Sequence, residues 1–157
     1  MSKKIILFVA LGVPVLVFIF LKLFGKNEFD VPVYYSQGIG RELPGCKTST
    51  QVPYVLPDSL LRAWGWTGAK ATLLVLNENG ITKNMARVAD LFNEGDYATL
   101  KLDNPTYEVK TCVLLAGDTS SVVMVDDKKR IRGYYTPTTE KETDRLGVEI
   151  RILLKQY

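Results

Sequence analysis

The chain has 157 residues, 46% hydrophobic and 24% charged, which fits one folded domain with an appendage and excludes a largely disordered or repetitive protein. Its net charge of +3 arises from 20 basic against 17 acidic residues, and three lysines (Lys3, Lys4, Lys22) flank the apolar N-terminus. From Gly25 onward the two signs balance, so the domain lacks the basic excess of a nucleic-acid binder and no nucleic-acid partner is expected. The sequence contains no histidine, which rules out Ser-His-Asp and Cys-His arrangements. With no imidazole and two distant cysteines, no metal or other cofactor is expected.

Residues Ile5 to Phe24 form an apolar run of 20 residues with one charge, Lys22. At about 1.5 Å per residue such a helix is about 30 Å long, the thickness of the hydrocarbon core of a bilayer. Pro14 is tolerable in a membrane helix, and Lys22 can snorkel to the interface. The run exceeds the apolar stretch of a signal peptide, and LFGKNEF is a poor cleavage site. A retained single-pass anchor over residues 1–25 is therefore expected in the cytoplasmic (inner) membrane. The short N-terminal tail with Lys3 and Lys4 stays inside, and the domain lies on the periplasmic, extracytoplasmic side.

A connector, residues 26–57, follows with Pro32, Pro44, Pro53 and Pro57; within it VPVYY suggests a short strand. The domain is assigned to residues 58–157. Asp58 to Trp66 reads as a short helix or turn capped by Asp58 or Ser59. Lys70 to Asn77 (KATLLVLN) has the apolar continuity of a buried central strand. Ile81 to Glu94 places Ile81, Met85, Val88, Leu91 and Phe92 at helical spacing, with Gly95 as the stop. Tyr97 to Leu102 and Val109 to Ala116 read as further strands. Val122 to Asp126 and Arg130 to Tyr135 read as a hairpin whose basic turn holds Lys128 and Lys129. Thr139 and Glu142 form a capping box that opens a helix with Leu146, Ile150, Leu153 and Leu154 on its apolar face. This order predicts an α/β domain, a thioredoxin-like mixed sheet with flanking helices, behind the N-terminal transmembrane helix.

The segment Val122 to Leu154 resembles the C-terminal part of the Sco/SenC family, with Val125-Asp126 ending a strand and Ile131-Arg132-Gly133-Tyr134 following the turn. Those proteins are membrane-anchored, thioredoxin-fold copper-delivery proteins of cytochrome oxidase assembly. The resemblance departs at Thr136 and Pro137, where the family often continues Asp-Gly. It implies two cysteines of a C-P-x-x-C-P motif near Glu78 and Thr82, and a histidine near Asp118; none is present. The chain thus resembles a degenerate member lacking the Cys/Cys/His copper ligands, with Met85 beside the lost site.

Glu78, Thr82 and Asp118 are either a polar patch at that degenerate site or ordinary exposed loop residues. Cys46 and Cys112 are read as a structural disulfide pinning the connector to the domain, against two buried free thiols or a redox or metal pair. Trp64, Trp66, Tyr134 and Tyr135 are candidate interface residues, against partial burial in the core. The expected role is non-catalytic: a membrane-anchored Sco-like accessory protein or subunit of a respiratory, cytochrome oxidase-linked complex, with protein partners in the membrane. The alternatives are a thiol-disulfide or metal-handling protein with an unorthodox site, and a generic anchored envelope binding module.

Overall fold

Strand β1 (Ala71–Val75) is buried at all five positions, as its unbroken apolar run requires of a strand covered on both faces. The computed structural model describes residues 12–20, 22, 30–40, 43–46, 49 and 51–155. Helix α1 (Asp58–Ala63) precedes β1; helix α2 (Thr82–Ala89) and strand β2 (Ala98–Lys101) follow it. A π-helical turn (Val109–Val113) then leads to strands β3 (Val122–Asp126) and β4 (Ile131–Tyr135) and helix α3 (Glu140–Leu154). The four strands form one mixed sheet in the order β2-β1-β3-β4. β1 runs parallel to β2, with Thr72 beside Ala98 and Val75 beside Lys101. β3 is antiparallel to both β1 and β4, so Asp126 lies beside Ala71 at the N-terminal end of β1.

Alternation along the strands divides the core between the two faces of the sheet. Ala71, Leu73, Val75, Val122, Met124 and Tyr135 pack with Val88 of α2 and Leu146 and Ile150 of α3. Leu74, Val123, Val125 and Ile131 pack on the other face with Leu61 of α1, Leu114, and Tyr54 and Leu56 of the connector. Helices α2 and α3 are joined at their surface by Arg87, which reaches Glu140 at 3.1 Å and Asp144 at 3.2 Å. The α3 cap is the expected one: the Thr139 hydroxyl accepts the Glu142 N–H.

Several local expectations are corrected. Val109 to Ala116 is not a strand; it is a π-helical turn in which the Leu114 N–H donates to the Val109 carbonyl at 2.9 Å. Its apolar side chains face the second core, and β3 holds the place beside β1. Helix α2 ends at Ala89 rather than Glu94, because the chain tightens into three-residue turns, Leu91 to Val88 and Phe92 to Ala89. Gly95, at a φ of +90°, belongs to the later turn into β2. Helix α1 has Pro57 at its cap and no side-chain cap bond; Asp58 lies in its first turn and Ser59 in its second position. VPVYY is not a strand, yet it clings to one: the Tyr34 N–H donates to the Ile131 carbonyl at 2.9 Å.

Of the apolar run Ile5 to Phe24, only residues 12–20 and 22 are described. Residues 12–20 are helical and their large apolar side chains, Leu16 and Phe18 among them, are exposed. Among the described residues no helix is long and apolar enough to cross a membrane, and the remainder of the expected anchor lies outside them.

Candidate functional site

The two ends of the sheet carry different chemistry. At the C-terminal ends of β1 and β2, Glu78 follows the buried strand and projects a carboxylate onto Lys101 Nζ at 2.7 Å. The Thr82 hydroxyl donates to the Glu78 carbonyl at 3.3 Å, a backbone bond of the turn that opens α2. A shallow pocket of about 270 Å³ lies beside them, lined by Leu76, Asn77, Glu78, Lys101 and Asp103 among others. The Glu78 carboxylate hydrogen-bonds Lys101 and holds its ammonium above the usual lysine range, so the two side chains satisfy each other. Asp118 sits in the exposed turn before β3, where its carbonyl accepts Lys110 Nζ at 3.0 Å. The structure thus joins Glu78 to Thr82, while the interaction made by Asp118 is to Lys110. Met85 packs against the core of the sheet's α2 face. No cluster of three or more cysteine or carboxylate groups able to hold a metal occurs among the described residues.

Cys46 and Cys112 are bonded to each other, with a Cα–Cα distance of 5.3 Å. Cys112 belongs to the π-helical turn, so the bond ties the connector to the sheet face that carries Tyr54 and Leu56. Neither sulfur is free as a ligand or nucleophile in this state.

Of the two readings open for Tyr135, the structure shows core: it is 1% exposed, and its hydroxyl donates to Glu149 of α3. It also explains the glycine of the Ile-Arg-Gly sequence, since a Cβ on Gly133 would collide with the Tyr135 ring lying over it. Tyr134 is likewise inward, its hydroxyl donating to the Leu114 carbonyl at 2.8 Å and its ring meeting Tyr34 edge-on at 5.3 Å. Burial raises both phenols well above the usual tyrosine range, Tyr135 with added help from Glu149. Trp64 and Trp66 are partly buried against the second core, and Lys129 Nζ stands 5.5 Å from the centre of the Trp66 ring.

At the opposite end of the sheet lies a charged group that the sequence did not mark as a site. Asp126, at the end of β3, accepts the backbone N–H groups of Lys128 and Arg130 and the Nε of Arg130 at 2.8 Å. Arg132, inside β4, donates to Asp126 at 3.3 Å, to Asp30 at 2.6 Å and to the Val31 carbonyl. Arg132 Nε is buried with no partner. The available signal was an arginine and an aspartate inside otherwise apolar strands, positions where charge survives burial only when paired. Around this network is a pocket of about 460 Å³.

In comparisons with known proteins, no family model, no curated protein and no solved structure matches this chain.

Proposed function

We propose that this chain is a membrane-anchored, thioredoxin-like protein of Sco/SenC type that has lost its copper site and serves as a non-catalytic accessory protein or subunit of a cytochrome oxidase-linked membrane complex. The observation offered in support is that the residues which the resemblance sets in place of the ligands are engaged with protein partners. Where the family pattern calls for thiolates after the first strand, Glu78 is paired with Lys101 and Thr82 closes a backbone turn. The only two sulfhydryl side chains are bonded to one another. Hard oxygen groups of this kind are poor ligands for Cu(I).

The thioredoxin-like assignment is supported by a parallel strand pair joined through a helix, followed by an antiparallel hairpin and a terminal helix. The anchor is supported by the uncovered apolar side chains on residues 12–20 and by the length of the apolar run. The Val-Asp and Ile-Arg-Gly residues that carry the resemblance have structural work in the Asp126–Arg132 pair and under the Tyr135 ring.

The test is purification of the full chain from native membranes in mild detergent. Haem-bearing membrane proteins should accompany it in a stoichiometric band with oxidase absorbance. Recovery of the chain without haem proteins would overturn the respiratory assignment and leave an anchored binding module.

A further inference from the structure

We propose that the pocket at the N-terminal end of β1 binds a phosphate-bearing group, and that the geometry favours the headgroup of an anionic phospholipid; the choice of lipid rests on the anchor proposed above. The pocket is lined by five cations (Lys70, Lys128, Arg130, Arg132, Lys155) and three acids (Asp30, Asp126, Asp127). Internal pairing removes the guanidinium groups from the balance. Asp126 is shared by Arg130 and Arg132, and Asp30 is held by Arg132. What remains is Lys70, Lys128 and Lys155, none with an ion-pair partner among the described residues, against Asp127 alone. A surplus of two ammonium charges around one concavity makes it an electropositive seat for an anionic phosphate group, whether diester or monoester.

The site is built rather than a loose collection of surface lysines. The Arg132 side chain in its wall is 4% exposed and fixed by two carboxylates. Three different elements bring the lysines together: the approach to β1, the β3–β4 turn and the end of α3. Ile152 and Leu153 add an apolar wall beside the charges. Inorganic phosphate has no use for such a wall, whereas a glycerophospholipid presents carbon directly behind its phosphate. Position argues the same way. Asp30 is at the pocket and only six residues beyond Phe24, a separation of at most about 20 Å even fully extended. An anchored domain therefore carries this pocket near the bilayer surface, where attraction between basic side chains and anionic lipid is felt.

The experiment uses the full chain and a lysine-acetylating reagent, with site-by-site modification read by mass spectrometry. It is run in nonionic detergent, in detergent with inorganic phosphate, in phosphatidylcholine nanodiscs, and in discs doped with phosphatidylglycerol. Lys83 and Lys141, exposed on other surfaces, serve as controls. Acetylation of Lys70, Lys128 and Lys155 should fall about fivefold on going from neutral to anionic discs, with the controls unchanged. Protection by inorganic phosphate as well would keep the phosphate site and assign it to soluble ligands. Protection lost in the Lys128→Glu and Lys155→Glu variants would tie it to this pocket. Failure of the chain to remain with neutral discs would overturn the anchor and the lipid source, and the detergent arm with phosphate would then decide the pocket by itself. Equal acetylation in all arms would overturn the proposal.

Discussion

Arg132 and Asp126 face each other across the β3–β4 hairpin at 3.3 Å, with each side chain only 4% exposed. Removing one charge from such a pair leaves the other buried without compensation. Asp126→Ala also strips an acceptor from two backbone N–H groups of the turn. The expected loss is about 3–5 kcal/mol of unfolding free energy. Urea denaturation of the full chain in detergent measures it. Replacing Asp126 and Arg132 together by apolar residues should cost less than Asp126→Ala alone. Asp58→Ala, which breaks the surface contacts with Lys129 and Arg62, should leave the midpoint almost unmoved.

The disulfide between Cys46 and Cys112 spans 66 positions. In the chain-entropy argument, closing a loop of that length stabilises by about 4 kcal/mol. Thiol titration of the denatured, unreduced protein should find none. Cys46→Ser should lower stability by up to that amount while leaving partner binding intact, because the bond constrains the connector and is not placed at the Glu78 pocket. Two free thiols in the untreated protein would contradict the pairing.

High pH should unfold the protein through its tyrosines. Burial, with Tyr35 nearby, pushes the Tyr54 phenol up from 10.0 to about 12, and its hydroxyl donates to the Val113 carbonyl at 2.7 Å. Burial also raises Tyr134 and Tyr135. Each raised phenol contributes stability that is complete below the unfolded value of about 10 and is lost as pH climbs toward the folded value. Tyr54→Phe should reduce the slope of stability against pH between 10 and about 12 by at most about 1.4 kcal/mol per pH unit. It should also cost about 1 kcal/mol at neutral pH for the lost hydrogen bond. An unchanged alkaline slope would show that Tyr54 is not protected.

Copper should not be retained. Met85 packs into the core, Glu78 is held by Lys101, and the cysteines are bonded to each other. Competition with a calibrated Cu(I) chelator should leave the oxidised protein without stoichiometric metal. A Glu78→Cys/Thr82→Cys double variant should gain measurable Cu(I) affinity if these positions correspond to the lost thiolates. No gain would argue against the register drawn from the resemblance.

The sequence revealed elements whose signals are local. The capping box at Thr139 and the apolar run around Leu73 and Leu74 each state a structure within a few residues. Val109 to Ala116 was misread because a short apolar run fits a strand or a buried helical turn equally well, and only competition with β3 for the edge of β1 decides. The choice between core and interface for Tyr135 was open in the sequence because its partner Glu149 lies on another element, 14 positions away. Glu78 and Thr82 meet at the turn after β1 because the Thr82 hydroxyl reaches back four residues at the start of a helix, a local relation, whereas Asp118 lies on a different turn. The Asp30–Arg132 contact was illegible in the sequence, because nothing local relates residues 102 positions apart.

That same separation sets a schedule for the chain. The Tyr34 N–H, the Leu56 N–H and Asp30 all dock on the hairpin segment from Lys129 to Arg132, at the edge of the sheet that the connector covers. During synthesis the connector emerges first, and its Asp30 and Tyr34 contacts wait for the hairpin, roughly a hundred residues later. Contacts of such long range slow the search for the native state. Until then, the side of β1 that β3 will cover and the apolar underside of the connector stay open to other chains, so the nascent domain is most vulnerable to wrong pairing in the interval before its last third leaves the ribosome.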